Sequence, residues 1–205
     1  MSRRDAAEVS ATEFHSTAQV GSVRTVPNLI TAVRTVVAVV VGVAALVAGS
    51  VVLLLIAYGC YWIGDILDGW AARRLRQETR AGAVFDIVSD RACTAVLCLT
   101  LVTLVPDVAV VAAVFLLSFM VLDTMLSLAF LCWPVLSPNY FRLVDRRVWW
   151  LNWSPPAKTA NTAGVIATVA CGQYALALGV ALAIVAVKLW SVAAVVRLLD
   201  RQGRA

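Results

Sequence analysis

Four aspartates lie in two stretches of the chain that are otherwise apolar enough to cross a membrane. Asp65 and Asp68 lie in the first stretch, and Asp86 and Asp90 lie in the second. A carboxylate within a membrane segment is energetically costly, and its presence there usually indicates a functional site. These four side chains are therefore the first candidates for chemistry in this sequence.

The spacing within each pair places both carboxylates on one face of a helix. Residues three or four apart share a helical face because successive residues advance by about 100°. Asp65 and Asp68 thus share one stripe, and Asp86 and Asp90 share another. Only the short link 74–81 separates the two helices, so their adjoining ends must be neighbours. We expect the four carboxylates to converge there.

Four carboxylates this close cannot all remain ionised unless cations neutralise them. Magnesium or manganese suits such an all-oxygen site, and two ions would clamp a diphosphate for displacement. Small residues on the same stripes leave room for a bulky ligand: Gly69, Ala72 and Gly82. Arg73 can pair with a phosphate. Alternatively, the acids form ion pairs with Arg34, Arg73 or Arg91 and only hold helices together.

The composition indicates an integral membrane protein that supports these residues. The chain has 205 residues, of which 61% are hydrophobic and 14% charged, whereas a soluble domain carries about a quarter charged residues. Six apolar segments each approach the roughly 20 residues that a spanning helix needs: 28–49, 51–73, 82–105, 107–132, 158–174 and 176–199. We therefore predict an all-α fold with six transmembrane helices.

The distribution of basic residues predicts how this fold is oriented. Lys and Arg occur in the tails and in alternate connections, whereas the links near Ser50, Pro106 and Gly172 contain none. Because cytoplasmic loops carry the excess of Lys and Arg, both termini and the aspartate site are expected to face the cytoplasm. The net charge of +5 then reflects topology and anionic lipid, with no need for nucleic acid. The predicted divisions are a cytoplasmic, partly interfacial tail, a six-helix domain and a C-terminal tail: 1–26, 27–200 and 201–205.

One pattern resembles the signature of the CDP-alcohol phosphatidyltransferases. It reads D-x2-D-G-x2-A-R-x8-G-x3-D-x3-D and is filled by Asp65, Asp68, Gly69, Ala72, Arg73, Gly82, Asp86 and Asp90. The resemblance implies transfer of a phosphatidyl group from CDP-diacylglycerol to an alcohol in phospholipid biosynthesis, with release of CMP. It also implies that the four aspartates bind two Mg²⁺ or Mn²⁺ ions, with Asp90 acting as the base. Gly69, Ala72, Arg73 and Gly82 would line the CDP site.

Two shorter patterns resemble the phosphatidylglycerophosphate synthase and cardiolipin synthase branches of that family. The first, P-N-x-x-T-x-x-R, suggests Asn28 and Thr31 as nucleotide contacts and ends at Arg34. The second begins at Lys158. Arg34, Asp123 and Lys158 are the candidates for binding the acceptor. The same resemblance implies a homodimer in a bacterial cell membrane.

The acceptor is the least determined part of this interpretation. Glycerol 3-phosphate is preferred, and phosphatidylglycerol, the acceptor of a cardiolipin synthase, is the alternative. Leu122 precedes Asp123 where those branches have an arginine, which weakens the case for glycerol 3-phosphate. The R-A-R-x-E stretch of the inositol-phosphate branch is absent. More remote alternatives are an intramembrane prenyltransferase and a cation transporter with an acidic site.

Overall fold

The computed structural model describes residues 20–203, apart from the side chains of residues 162 and 163. Residues 1–19, which form most of the predicted N-terminal tail, lie outside the described part. Helices make up most of the described chain, short irregular segments connect them, and the described residues contain no strand. The prediction of an all-α fold is confirmed.

Seven helices and a short 3₁₀ segment at Pro138–Leu143 form the fold of the described residues, and five of the helices are long and apolar enough to cross a membrane. In chain order they are α1 (Val26–Ala48), α2 (Val51–Arg74), α3 (Arg80–Leu104), α4 (Pro106–Cys132), α5 (Arg146–Asn152), α6 (Pro155–Ala170) and α7 (Tyr174–Gln202). The five candidate spans among the described residues are α1 to α4 and α7. Helix α6, predicted as a span over 158–174, has 16 residues. At 1.5 Å per residue it covers about 24 Å, less than the roughly 30 Å hydrocarbon core.

Polar side chains set the starts of the first three helices. Thr25, Ser50 and Thr79 each accept a hydrogen bond from a backbone N–H three residues later. Such N-caps satisfy amide groups that have no partner within the helix. Gly49 ends α1 in the left-handed conformation, with a φ of 61°, immediately before the cap of α2. This tight turn makes α1 and α2 antiparallel neighbours.

The last helix ends later than expected. Helix α7 continues through Gln202, so the predicted tail 201–205 begins within it. Arg201 lies in its last turn, where a positive side chain interacts favourably with the helix dipole and so prolongs the helix.

The helices pack in two groups, and residues of both groups line a cavity that contains three of the four aspartates. Helices α1, α2 and α3 form the first group, whose small core of Ala45, Leu54, Ala57 and Leu97 lies far from the aspartates. Helices α4, α6 and α7 form the second group and share a core of Val111, Val165, Ala177 and Ala181. A third core, built around Phe130, Phe141 and Trp153, holds the connection between α4 and α6.

Helix α4 is irregular at its middle, where the sequence predicts a regular span over 107–132. Residues Ser118–Asp123 form a π-helical turn between two α-helical segments. The Thr124 hydroxyl donates to the Phe119 carbonyl, five residues earlier, at 3.2 Å. π-turns within α-helices occur frequently at functional sites. This one brings Ser118 and Asp123 to the same cavity.

Candidate active site

The four aspartates converge around the guanidinium of Arg34, a buried residue of α1. Arg34 Nε donates to Asp68 Oδ2 at 2.7 Å. Its Nη2 donates to Asp86 Oδ1 at 2.5 Å and to Asp90 Oδ1 at 3.0 Å. The same nitrogen lies 3.4 Å from Asp65 Oδ1. The helical spacing therefore predicted the convergence correctly, and it did not predict the arginine at its centre.

Two residues that were not predicted from the sequence hold Arg34 in place: Gly64 leaves room for its side chain, and Tyr61 packs against its guanidinium. A Cβ on Gly64 would lie 2.4 Å from Arg34 Cβ, so only glycine allows α1 and α2 to approach this closely. The Tyr61 ring lies 5.4 Å from the guanidinium carbon, within the range of a cation–π interaction. A glycine inside a helix costs about 1 kcal/mol relative to alanine. That cost was the available signal that Gly64 has a packing role.

The carboxylates outnumber the cation that binds them. One guanidinium among four aspartates leaves three negative charges in excess when all are ionised. Oxygens of Asp65, Asp68 and Asp86 all lie within 4.8 Å of one another. The Asp65 and Asp86 side chains are 46% and 41% exposed, so they remain accessible to an ion. An accessible all-oxygen set of this kind fits Mg²⁺ or Mn²⁺.

A smaller cavity of about 100 Å³ lies beside this cluster, with Asp68 and Asp86 in its wall. All six residues predicted to contact CDP line it: Asn28, Thr31, Gly69, Ala72, Arg73 and Gly82. The Thr31 hydroxyl also donates to Asp68 Oδ2 at 2.7 Å. A Cβ on Gly69 would lie 3.4 Å from Arg73 Nη1, so the guanidinium lies across that glycine.

Gly82 contributes to the smaller cavity through a neighbouring side chain. A Cβ at this position would lie 2.8 Å from Asn28 Oδ1, so the absence of a side chain makes room for Asn28. Asn28 Nδ2 donates to the Val23 carbonyl at 2.8 Å, which fixes the amide. The space at Gly82 was expected to admit a ligand, and part of it is used to position this amide.

The connection between α4 and α5 crosses the smaller cavity. The Tyr140 hydroxyl donates to Glu78 Oε2 at 2.8 Å. Burial, together with this hydrogen bond, raises the pKa of Tyr140, so the phenol keeps the proton that it donates. Ser137 and Asn139, from the same connection, line both this cavity and a larger one.

The larger cavity, of about 410 Å³, lies between the two helix groups. Asp65, Asp86 and Asp90 form one wall. Apolar and aromatic residues such as Phe115 and Trp153 line part of the remainder, and seven hydroxyl or amide side chains line another part: Ser118, Ser127, Ser137, Asn139, Asn152, Thr159 and Asn161. The Ser118 and Ser137 hydroxyls are buried and have no hydrogen-bond partner within the described residues.

The three predicted acceptor residues occupy different places. Asp123 lines the larger cavity and forms ion pairs with Arg91 and Lys188. Lys158 also lines it, and its Nζ donates to Asn139 Oδ1 at 2.8 Å. Arg34, by contrast, is absent from the lining of the larger cavity. It binds the carboxylates instead, as the ion-pair alternative anticipated.

The chain is similar to several known proteins. The sequence model of the CDP-alcohol phosphatidyltransferases matches residues 24–196. A CDP-diacylglycerol–inositol 3-phosphatidyltransferase of Candida albicans is 40% identical over 82 residues, which make up 40% of this chain and 35% of that enzyme. The enzyme of the same name from Schizosaccharomyces pombe is 45% identical over 47 residues, 23% of this chain and 20% of that enzyme. No solved structure matches.

These matches decide the family, and the relatives that they identify belong to a branch other than the expected one. The chain matches about a third or less of the length of each yeast relative. Both relatives are named for transfer to inositol, a different branch from the phosphatidylglycerophosphate and cardiolipin synthases that the shorter patterns suggested. Since the family match spans most of the sequence and includes every residue of the aspartate signature, the chain belongs to the CDP-alcohol phosphatidyltransferase family.

Proposed function

We propose that this enzyme transfers a phosphatidyl group from CDP-diacylglycerol to an uncharged polyol, with inositol as the first candidate, and releases CMP. The observation that carries the proposal is the position of the aspartate cluster between two adjoining cavities. One cavity is lined by the six expected CDP contacts, and the wall of the other includes seven hydroxyl and amide side chains.

The reaction would be a direct displacement at the phosphorus that carries diacylglycerol. A hydroxyl oxygen of the acceptor forms the new P–O bond, and the P–O bond to CMP breaks, with its electron pair leaving on CMP. Asp90 lines the larger cavity, so its carboxylate is the proposed base that accepts the hydroxyl proton. Arg73 and Asn28 are the proposed contacts for the nucleotide and its diphosphate.

The metal would be held by Asp65, Asp68, Asp86 and Asp90. Bound Mg²⁺ or Mn²⁺, as two ions, would neutralise the diphosphate and stabilise the charge that develops on the leaving group. Arg34 is proposed to fix the directions of these carboxylates, because its guanidinium contacts all four. The excess of three negative charges in the cluster supports cation binding.

The larger cavity favours a neutral acceptor with several hydroxyl groups. Serine hydroxyls and asparagine amides both donate and accept hydrogen bonds, as a polyol does. The names of both yeast relatives support inositol. Glycerol 3-phosphate and phosphatidylglycerol remain the competing acceptors, and each carries a phosphate that requires an available cation. An intramembrane prenyltransferase or a cation transporter would not explain the family match.

The acceptor can be identified by CMP release from the purified protein with CDP-diacylglycerol and Mg²⁺. The panel contains inositol, inositol 1-phosphate, glycerol 3-phosphate and phosphatidylglycerol, with a no-acceptor control. We expect release with inositol and loss of release on adding EDTA. Release only with a phosphate-bearing acceptor would refute the polyol assignment, and no release with any acceptor would refute the enzyme activity proposed here.

We further infer that both cavities and both termini face the cytoplasm, and that α6 completes six crossings. Basic residues lie both in the connection between α4 and α6, at Arg142, Arg146 and Arg147, and at the end of α7, at Arg201. Both groups lie on one side of the membrane only if α6 and α7 each cross it. A short span is accommodated by local thinning of the bilayer. The bacterial membrane and the homodimer stay predictions, since both relatives are fungal.

A further inference from the structure

Asp123 binds two cations in the wall of the larger cavity. Its Oδ2 accepts from Arg91 Nη2 at 2.6 Å, and its Oδ1 accepts from Lys188 Nζ. The side chains of Arg91, Asp123 and Lys188 are 13%, 17% and 5% exposed. Two of the three basic residues that line the cavity are therefore paired with the same carboxylate.

Further contacts hold both cations in this arrangement. Arg91 Nε donates to the Thr124 hydroxyl at 2.8 Å, and its guanidinium carbon lies 3.6 Å from the centre of the Phe119 ring. Lys188 Nζ also donates to Asn152 Oδ1 at 3.5 Å. The π-helical turn Ser118–Asp123 supplies both Phe119 and Asp123, so this irregular turn builds the arrangement.

We propose that Asp123 is a specificity residue that excludes phosphorylated acceptors by occupying Arg91 and Lys188. This inference rests on the proposed transfer to an uncharged polyol. A phosphate could reach either cation only by displacing a carboxylate from a largely desolvated ion pair, which is strongly unfavourable. A phosphate placed beside the intact cluster would meet a like charge from Asp123. Both effects weaken the binding of a phosphorylated acceptor, and neither weakens the binding of an uncharged polyol.

Lys158 does not provide an equivalent site for phosphate. Its hydrogen bond to Asn139 is exposed, and an exposed cation contributes little binding energy because water and salt screen it. The discrimination against phosphorylated acceptors is therefore assigned to Arg91, Asp123 and Lys188.

The test compares inositol with inositol 1-phosphate, which differ only by the phosphate. In Asp123→Asn, we expect kcat/KM for inositol 1-phosphate, relative to that for inositol, to rise by about tenfold or more. That factor corresponds to one recovered charge-assisted hydrogen bond. Asp107→Asn is the matched control, because Asp107 is an exposed carboxylate near the start of the same helix, away from the cavity lining. Its ratio should equal that of the wild type.

A second variant keeps the test informative if Asp123→Asn alone fails to fold. Asp123→Asn leaves two adjacent cations unpaired, whereas Asp123→Asn with Lys188→Met retains the net charge of the original cluster and frees Arg91 alone. The double variant should also raise kcat/KM for inositol 1-phosphate relative to that for inositol. An unchanged ratio in folded variants that use inositol would overturn the inference, as would an equal rise in Asp107→Asn.

The wild-type protein provides a test that needs no variant. Inositol 1-phosphate should fail to inhibit the reaction with inositol at concentrations near the KM for inositol. Competitive inhibition in that range would overturn the inference, because it would show that the phosphate is accepted. If the wild type releases no CMP with any acceptor, the proposed function fails instead, so the two failures are distinguishable.

Discussion

Asp86 and Asp90 lie one helical turn apart on α3, yet they face different surroundings. Asp86 lines both cavities, whereas Asp90 lines only the larger one. The larger cavity is the proposed acceptor site, so Asp90 is the carboxylate of α3 directed toward the acceptor alone. This difference separates the proposed base from a residue that only binds metal.

Replacing Asp90 with asparagine should abolish most of the turnover. Asparagine keeps an oxygen that can accept from Arg34, but it cannot take a proton from the acceptor. General-base catalysis contributes about 10² to 10⁴-fold, so we expect kcat for CMP release to fall by about that factor. Asp200→Asn, at an exposed position near the end of α7, is the control. Activity within tenfold of the wild type would remove Asp90 as the base.

At this scale the sequence predicted which carboxylates meet, and it left open whether Arg34 pairs with them. Fixed spacing within one helix determines that Asp86 and Asp90 share a face. The position of Arg34 depends instead on how α1 is rotated against α2, which no local spacing determines. For the same reason the sequence left both an acceptor contact and an ion pair with the acids open for Arg34, and the structure shows the ion pair.

Among the helices, the close approach of α1 and α2 depends on Gly64. Gly64→Ala should force the helices apart, because the new Cβ would lie 2.4 Å from Arg34 Cβ. Overpacking of this kind costs about 1 to 3 kcal/mol. We expect a lower unfolding temperature in detergent and a loss of CMP release, since Arg34 would move away from the carboxylates.

Gly59 is the matched control for this change. It lies in the same helix, and a Cβ there would meet nothing within 4 Å. Because alanine favours helix more than glycine does, Gly59→Ala should leave stability unchanged or raise it. Equal effects of the two substitutions would show that helix propensity, rather than the approach of α1, determines the result.

The irregular elements were the hardest to predict from the sequence. Hydropathy gave α4 as one continuous span, because the π-turn does not alter the apolar composition. The start of α6 was placed at residue 158, whereas the helix begins at Pro155. Ser154 accepts from the Ala157 N–H as an N-cap, and proline is favoured in the first turn. The Ser-Pro-Pro sequence thus contained the signal, which the search for apolar residues overlooked.

On the scale of the whole molecule, the proposed orientation can be tested with two of its own thiols. Cys132 and Cys171 are both exposed and free. Cys132 ends α4 beside the basic loop, and Cys171 lies between α6 and α7. With single-cysteine variants in intact cells, we expect a membrane-impermeant maleimide to label Cys171. Cys132 should react only after permeabilisation. The opposite pattern would contradict a cytoplasmic site, and labelling of both on one side would contradict a crossing by α6.

The two cavities share part of their lining, and this has a stereochemical consequence. Ala83, Asp86, Ser137 and Asn139 belong to both, so a nucleotide in one cavity and an acceptor in the other would be bound together. Their oxygens would then lie on opposite sides of the phosphorus. A single displacement in that arrangement inverts the configuration at phosphorus and requires no covalent bond between lipid and enzyme.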